Sequence, residues 1–150
     1  MAKYQEPDRF TKQVFNPLAV FLMRFGLSLR GSRVLAVRGR KTGAWHTTPV
    51  NPLPFEGARY LVAPRGNTQW VRNIRVAGGG ELRLGRKREP IRVVELADDE
   101  KPRLLRAYLK LWAWETGKFF GGVTDQAPDE ELRRIAPDHP VFRIVDATPG

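Results

Sequence analysis

Apolar positions along this chain follow two periodicities. Between residues 33 and 96 they come in short runs, such as Val34-Leu35-Ala36-Val37 and Tyr60-Leu61-Val62-Ala63, each bounded by Gly, Pro or charged residues. Runs of this length between turn residues predict strands, here at 33–38, 45–54, 58–64, 81–86 and 90–96. Glu56-Gly57 and Arg86-Lys87-Arg88 are the expected turns. Helical spacing takes over in four places. Residues 8–29 carry Phe10, Val14, Phe15, Leu18, Phe21, Leu22 and Phe25, with Pro17 inside the segment. A short helix is expected at 68–76, stopped by Gly78-Gly79-Gly80. A longer one opens on Asp98-Asp99-Glu100, whose charges suit the helix dipole, and runs to about Thr116 with Leu104, Leu105, Tyr108, Leu111 and Trp112 on one face. A last short helix at 129–135 precedes a strand at 141–145. Short strands at this density, with helices towards the ends, predict an α+β domain that is mainly β, a small barrel and not a parallel α/β sheet.

A chain of 150 residues is expected to hold one barrel domain over 32–150, preceded by an N-terminal helical segment over 1–31. It has no cysteine, which removes disulfides, thiolate chemistry and cysteine-based zinc sites. His46 and His139 lie far apart and lack metal-ligand spacing, so no metal is expected. The longest apolar run, Pro17 to Met23, is far short of the ~20 residues that span a bilayer. No secretory leader pattern is evident, so a cytoplasmic location is expected. The net charge of +10 is unevenly placed: residues 1–97 hold 18 Lys/Arg against 6 Asp/Glu, residues 98–150 hold 8 against 10. A basic first part suits nucleic acid, an anionic membrane surface or a polyanionic small molecule.

Two turns sharpen that choice. Gly39-Arg40-Lys41-Thr42-Gly43 sits between two expected strands, with two cations and a hydroxyl between its glycines and no acid among them. Such a turn offers backbone N–H groups and positive charge to an anion, most naturally a phosphate, although a plain hairpin with solvated cations has the same composition. It is not a Walker loop, because the Gly-x-x-x-x-Gly-Lys spacing is absent. Further on, Pro64-Arg65-Gly66-Asn67 leads into Thr68-Gln69-Trp70-Val71-Arg72-Asn73, a second basic turn running into a helix N-terminus. Trp70 suits either a flat ring against its face or a place in the core.

The ordered set Gly39-Arg40-Lys41-Thr42-Gly43, Thr47-Thr48-Pro49, Ala63 with Arg65-Gly66, and Trp70-x-x-Asn73 resembles the signature of the deazaflavin-dependent nitroreductase and quinone reductase family, over about Ser32 to Leu96. The resemblance implies a split β-barrel akin to pyridoxamine phosphate oxidases, with an N-terminal helix and peripheral C-terminal helices. It implies an 8-hydroxy-5-deazaflavin coenzyme bearing a phosphate and an oligoglutamate tail, which would account for the basic half. Arg40, Lys41, Thr42 and Gly43 would then hold the phosphate and the start of the tail, with His46 where relatives often carry another cation. Thr48 and Pro49 would line the ring-binding strand, Ala63, Arg65 and Gly66 the opposite edge, and Gln69, Trp70 and Asn73 would contact the deazaflavin. The chain departs from the pattern at Pro64, where relatives often have a serine.

No acid–base pair is required by this chemistry, since a reduced deazaflavin delivers the hydride itself. An apolar acceptor such as a quinone or nitro compound would meet Pro64 and covering aromatics drawn from Tyr108, Trp112, Trp114, Phe119 and Phe120. The Leu-rich spacing also suits Tyr108 and Trp112 to the core. Two other readings stay open at this point: a non-catalytic binder of a deazaflavin or lipid-like ligand, and a nucleic-acid-binding domain. The latter lacks a recognised motif, and its aromatics are not interleaved with the basic turns. The N-terminal segment is expected either to cover the cleft or to touch a membrane surface.

Overall fold

A computed structural model of the chain describes residues 32–146, apart from the side chains of residues 114 and 115. The expected helix over 8–29 and the Trp114 side chain lie outside the described residues. The strands are β1 Arg33–Arg38, β2 Trp45–Val50, β3 Leu53–Phe55, β4 Ala58–Val62, β5 Gly79–Leu84, β6 Lys87–Glu95 and β7 Val141–Asp146. The helices are α1 Gln69–Ala77, α2 Pro102–Thr116 and α3 Asp129–Ile135. All seven strands form one antiparallel sheet in the order β2-β1-β5-β6-β7-β4-β3.

The expected strand over 45–54 is in fact two. β2 pairs with β1 from Arg33↔Val50 to Arg38↔Trp45, whereas β3 pairs with β4 at Leu53↔Tyr60. The break falls at Asn51-Pro52, where proline has no N–H to give to a ladder. β2 and β3 therefore occupy opposite edges of the sheet while following each other in the chain. Three residue steps from Val50 to Leu53 reach at most roughly 11 Å, so the sheet has to curl until its edges approach at that end. Ser32 Oγ donates to Asn51 Oδ1 at 2.6 Å and fastens the crossing to the start of β1.

Gly78 ends α1 in the left-handed conformation, its N–H donating to the Ile74 carbonyl at 2.8 Å. Gly79 and Gly80 are already strand, two residues before the expected start, and face Arg92 and Ile91. A Cβ on Gly80 would meet the Ala36 carbonyl of the neighbouring strand. The next turn is Gly85-Arg86, so Lys87 and Arg88 belong to β6 and not to the expected basic turn. Asp98-Asp99-Glu100 form a separate 3-10 turn, and α2 begins at Pro102, where the missing N–H costs nothing. Leu111 is 41% exposed; Leu109, at 1%, takes the place expected for it in the core.

Strand alternation builds two cores. Leu35, Val37, Leu61, Leu82, Ile91, Phe142 and Ile144 pack beneath Val71 and Ile74 of α1. Leu53, Val62 and Val141 pack with Leu104, Leu105, Tyr108, Leu109 and Trp112 of α2 and Leu132 and Ile135 of α3. Lys101 is buried at their margin, its Nζ donating to Asp98 Oδ1 at 2.7 Å and to the Ala136 carbonyl at 3.0 Å.

Candidate functional site

The turn between β1 and β2 is closed by its own backbone. Gly39 N–H donates to the Ala44 carbonyl at 2.7 Å and Gly43 N–H to the Gly39 carbonyl at 2.9 Å. Gly43 has φ 76°, a conformation that side chains disfavour. Arg40 is committed within the protein. Its backbone N–H and Nη1 donate to Asn73 Oδ1 at 3.1 and 2.8 Å, and Nη1 also reaches Gln69 Oε1 at 2.9 Å. Gln69 and Asn73 stand one helical turn apart on α1, on the face that meets the loop. On the other flank, Arg38 Nη1 donates to the Gly43 carbonyl at 3.1 Å, and its guanidinium lies 4.1 Å over the Trp45 ring. Held from both sides, the turn presents Lys41 and Thr42 at an exposed apex. Among the described residues Lys41 has no ion-pair partner.

The second turn follows β4. Ala63 N–H donates to the Pro140 carbonyl at 2.9 Å, Gly66 N–H to the Ala63 carbonyl at 3.3 Å, and Thr68 N–H to the Gly66 carbonyl at 2.8 Å. α1 then starts at Gln69, and its first N–H groups point back at this turn. Thr68 Oγ1 is buried there without a hydrogen-bond partner among the described residues. Arg75 ties the far end of α1 to β6 through Glu95 and reaches Asn67 Oδ1 at 3.0 Å. One helix thus anchors both turns, the first through Gln69 and Asn73, the second through Arg75.

Other residues singled out by sequence are placed as follows. His46 and Thr48 pair with Val37 and Leu35, on the face of β2 that looks towards α1. Pro49 pairs with Val34 and points to the opposite face. His46 packs over Gly39, where a Cβ would come within 2.8 Å of its Nε2. Ala63 and Gly66 are buried, whereas Pro64 and Arg65 are half-buried. Trp70 is half-buried against Phe142, ring centroids 5.7 Å apart. Tyr108 and Trp112 are 2% and 4% exposed in the second core, and Phe119 packs against that cluster. Tyr108 touches Phe120, ring centroids 6.1 Å apart, and Phe120 in turn stacks on His139 beside the second turn. A cleft of about 440 Å³ opens elsewhere, among Tyr60, Leu96, Pro102, Arg103, Asp129 and Arg143, and holds no residue of either turn.

Two residues at the turns escaped the sequence reading. Arg38 looked like the end of a strand. In the sequence His139 stands out only as a histidine without metal-ligand spacing, yet its Nδ1 lies 3.0 Å from the Pro64 carbonyl. Among the described residues no cluster of His, Asp or Glu is arranged to hold a metal. No described helix is long and apolar enough to cross a membrane.

Comparison with protein families matches residues 21–117 to the family described as F420H(2)-dependent quinone reductase. Comparison with curated proteins gives no match. Among solved structures, the fold resembles an F420-H2 dependent reductase, FDR-A, at TM-score 0.54 and 17% identity, covering 80% of this chain and 100% of that one. It also resembles the conserved hypothetical protein Rv2991 from Mycobacterium tuberculosis, at TM-score 0.54 and 19% identity, covering 86% and 80%. A third likeness is to Atu2129 from Agrobacterium tumefaciens, of unknown function, at TM-score 0.57 and 18% identity. That match covers 95% of this chain but 58% of the other. At these identities the structural likenesses speak for the fold alone.

Proposed function

Since the chain belongs to the F420H(2)-dependent quinone reductase family, and is therefore an oxidoreductase dependent on the reduced deazaflavin coenzyme, we propose that the two basic turns anchored on α1 are where it binds that coenzyme. The sheet is then a split barrel, curled about the site and closed at the Asn51–Pro52 end. The observation that carries the reading is the Arg40 contact with Gln69 and Asn73, which joins two motifs separated by more than twenty residues into one surface.

The residues present suit such a ligand. Lys41, unpaired among the described residues, stands ready for a phosphate or carboxylate at the apex of the first turn. Arg40 and Asn73 hold the turn in place and leave Lys41 and Thr42 as its outward groups. At the second turn the α1 N-terminus and the unpartnered Thr68 hydroxyl add polar capacity where a ring's edge would come. His46 and Thr48 face the same side from β2. Ala63, Arg65, Gly66 and Trp70 would border the ring, with Pro64 nearest the acceptor. When bound, the coenzyme supplies the hydride; the protein binds, orients and excludes water. A rigid scaffold serves that task, because reacting atoms must be held to within a fraction of an ångström. The family supplies a quinone as acceptor class.

Fluorescence titration with the oxidised deazaflavin tests this. Replacing Lys41 by Ala removes an exposed, charge-assisted contact of about 1.5–3 kcal/mol, reduced by solvent screening, so affinity falls by about tenfold at low salt. The loss shrinks as salt is raised, and the fold is unchanged. Equal affinity of the two proteins would place the coenzyme elsewhere.

A further inference from the structure

His139 is a buried polar residue beside the second turn. It precedes Pro140 and β7 and is 2% exposed. Its ring stacks on Phe120, centroids 4.2 Å apart and planes 25° apart. Nδ1 lies 3.0 Å from the Pro64 carbonyl, and a carbonyl can only accept, so Nδ1 carries the proton in this contact. Burial lowers the imidazole pKa from 6.5, against the Pro64 and Ala63 carbonyls and the Asp138 carboxylate, which raise it; Lys101 adds to the lowering. The ring is therefore neutral near pH 7.

Consecutive residues grip the second turn from below. His139 holds the Pro64 carbonyl, and the Pro140 carbonyl accepts the Ala63 N–H. The peptides here are trans and planar, so pinning one carbonyl also sets the direction of the N–H on the far side of the same plane, that of Arg65.

We propose that His139 is a positioning residue for the coenzyme: through the Pro64 carbonyl it sets the Ala63–Gly66 turn against the ring, and through Phe120 it links that turn to the segment after α2. The proposal rests on the reading that this turn borders the ring. His139→Phe keeps an aromatic ring on Phe120 and removes the donor. His139→Asn keeps an N–H near the position of Nδ1 and gives up the stack. The Phe variant should bind the oxidised coenzyme about tenfold more weakly, with a changed absorption spectrum of the bound form, and the Asn variant within about threefold of the parent. Unchanged affinity and spectrum in the Phe variant would overturn the proposal, as would equal weakening in both variants. Should the Phe variant not fold, nitrogen NMR of the parent decides. A protonated Nδ1 whose resonance moves on coenzyme addition supports the role; a protonated Nε2, or no movement at saturation, refutes it. A parent that binds no deazaflavin overturns the coenzyme reading as well. A parent that binds, responds to Lys41→Ala and ignores the His139 donor overturns this inference alone.

Discussion

Asn73→Ala is the sharpest probe of how the site is assembled. The Asn73 side chain is buried, with the residue 4% exposed, and one oxygen accepts both the Arg40 N–H and Nη1. A neutral bond contributes about 1 kcal/mol and one to a charged donor about 1.5–3 kcal/mol. Arg40 is half-exposed and both its donors regain water when released, so the net loss is about 2 kcal/mol. For a domain of this size that lowers the melting midpoint by about 4–8 °C. Urea unfolding followed by tryptophan fluorescence gives the free energy, and coenzyme titration of the folded variant gives the affinity. Both should fall, because the released turn no longer holds Lys41 in place. Asn73→Asp is the control: it retains the oxygen acceptor and adds a charge opposite to that of Arg40, so stability should stay within about 1 kcal/mol of the parent. An Asn73→Ala protein as stable as the parent would show that the Arg40 contact does not organise the turn.

Three further outcomes follow from the packing. Lys101→Met keeps the aliphatic stem but removes the charged donor to the Ala136 carbonyl, which keeps only the His139 N–H at 3.2 Å, and should cost about 1.5 kcal/mol in urea unfolding. Gly80→Ala sets a methyl against the Ala36 carbonyl, so β1 and β5 must separate; circular dichroism should show lost strand signal or a midpoint lowered by about 6–12 °C, the upper end for overpacking. Because burial lowers the His139 pKa in the fold, the unfolded chain takes up its proton first as pH drops. Stability should therefore decline below about pH 6.5, by up to about 1.4 kcal/mol per pH unit until the folded form is protonated too, and this segment of the curve should flatten in His139→Asn.

How far the sequence reveals these features depends on their range. Val34 to Val37 and Leu61-Val62 declare strands because burial on a pleated surface writes itself into neighbouring residues. The hairpin at Glu56-Gly57 is equally local. The end of β2 at Asn51 is not, since a strand is cut there by a change of partner, and partners are chosen across the sheet. Gly79 and Gly80 read as a helix stop, yet their smallness answers to the Ile91 and Ala36 carbonyls next door. At the site, both turns and the α1 residues after the second are visible as composition. That Arg40 would bond to Gln69 and Asn73, and so not stand free beside Lys41, depends on a contact between positions distant in the chain. The Pro64–His139 contact spans a still longer separation. Periodicity favoured the core for Tyr108 and Trp112, and their burial agrees with it.

The crossing at Asn51-Pro52 also governs how the sheet comes apart. Terminal strands of an open sheet ordinarily fray independently, each shielded by a single neighbour. Here the two terminal strands are successive links of one chain, joined by a clasp two residues long. Peeling β3 from β4 pulls at once on Val50 and on the β1 ladder, although β2 and β3 are not paired with each other. The sheet is a fastened hoop, in which amide exchange on one rim should be coupled to exchange on the other.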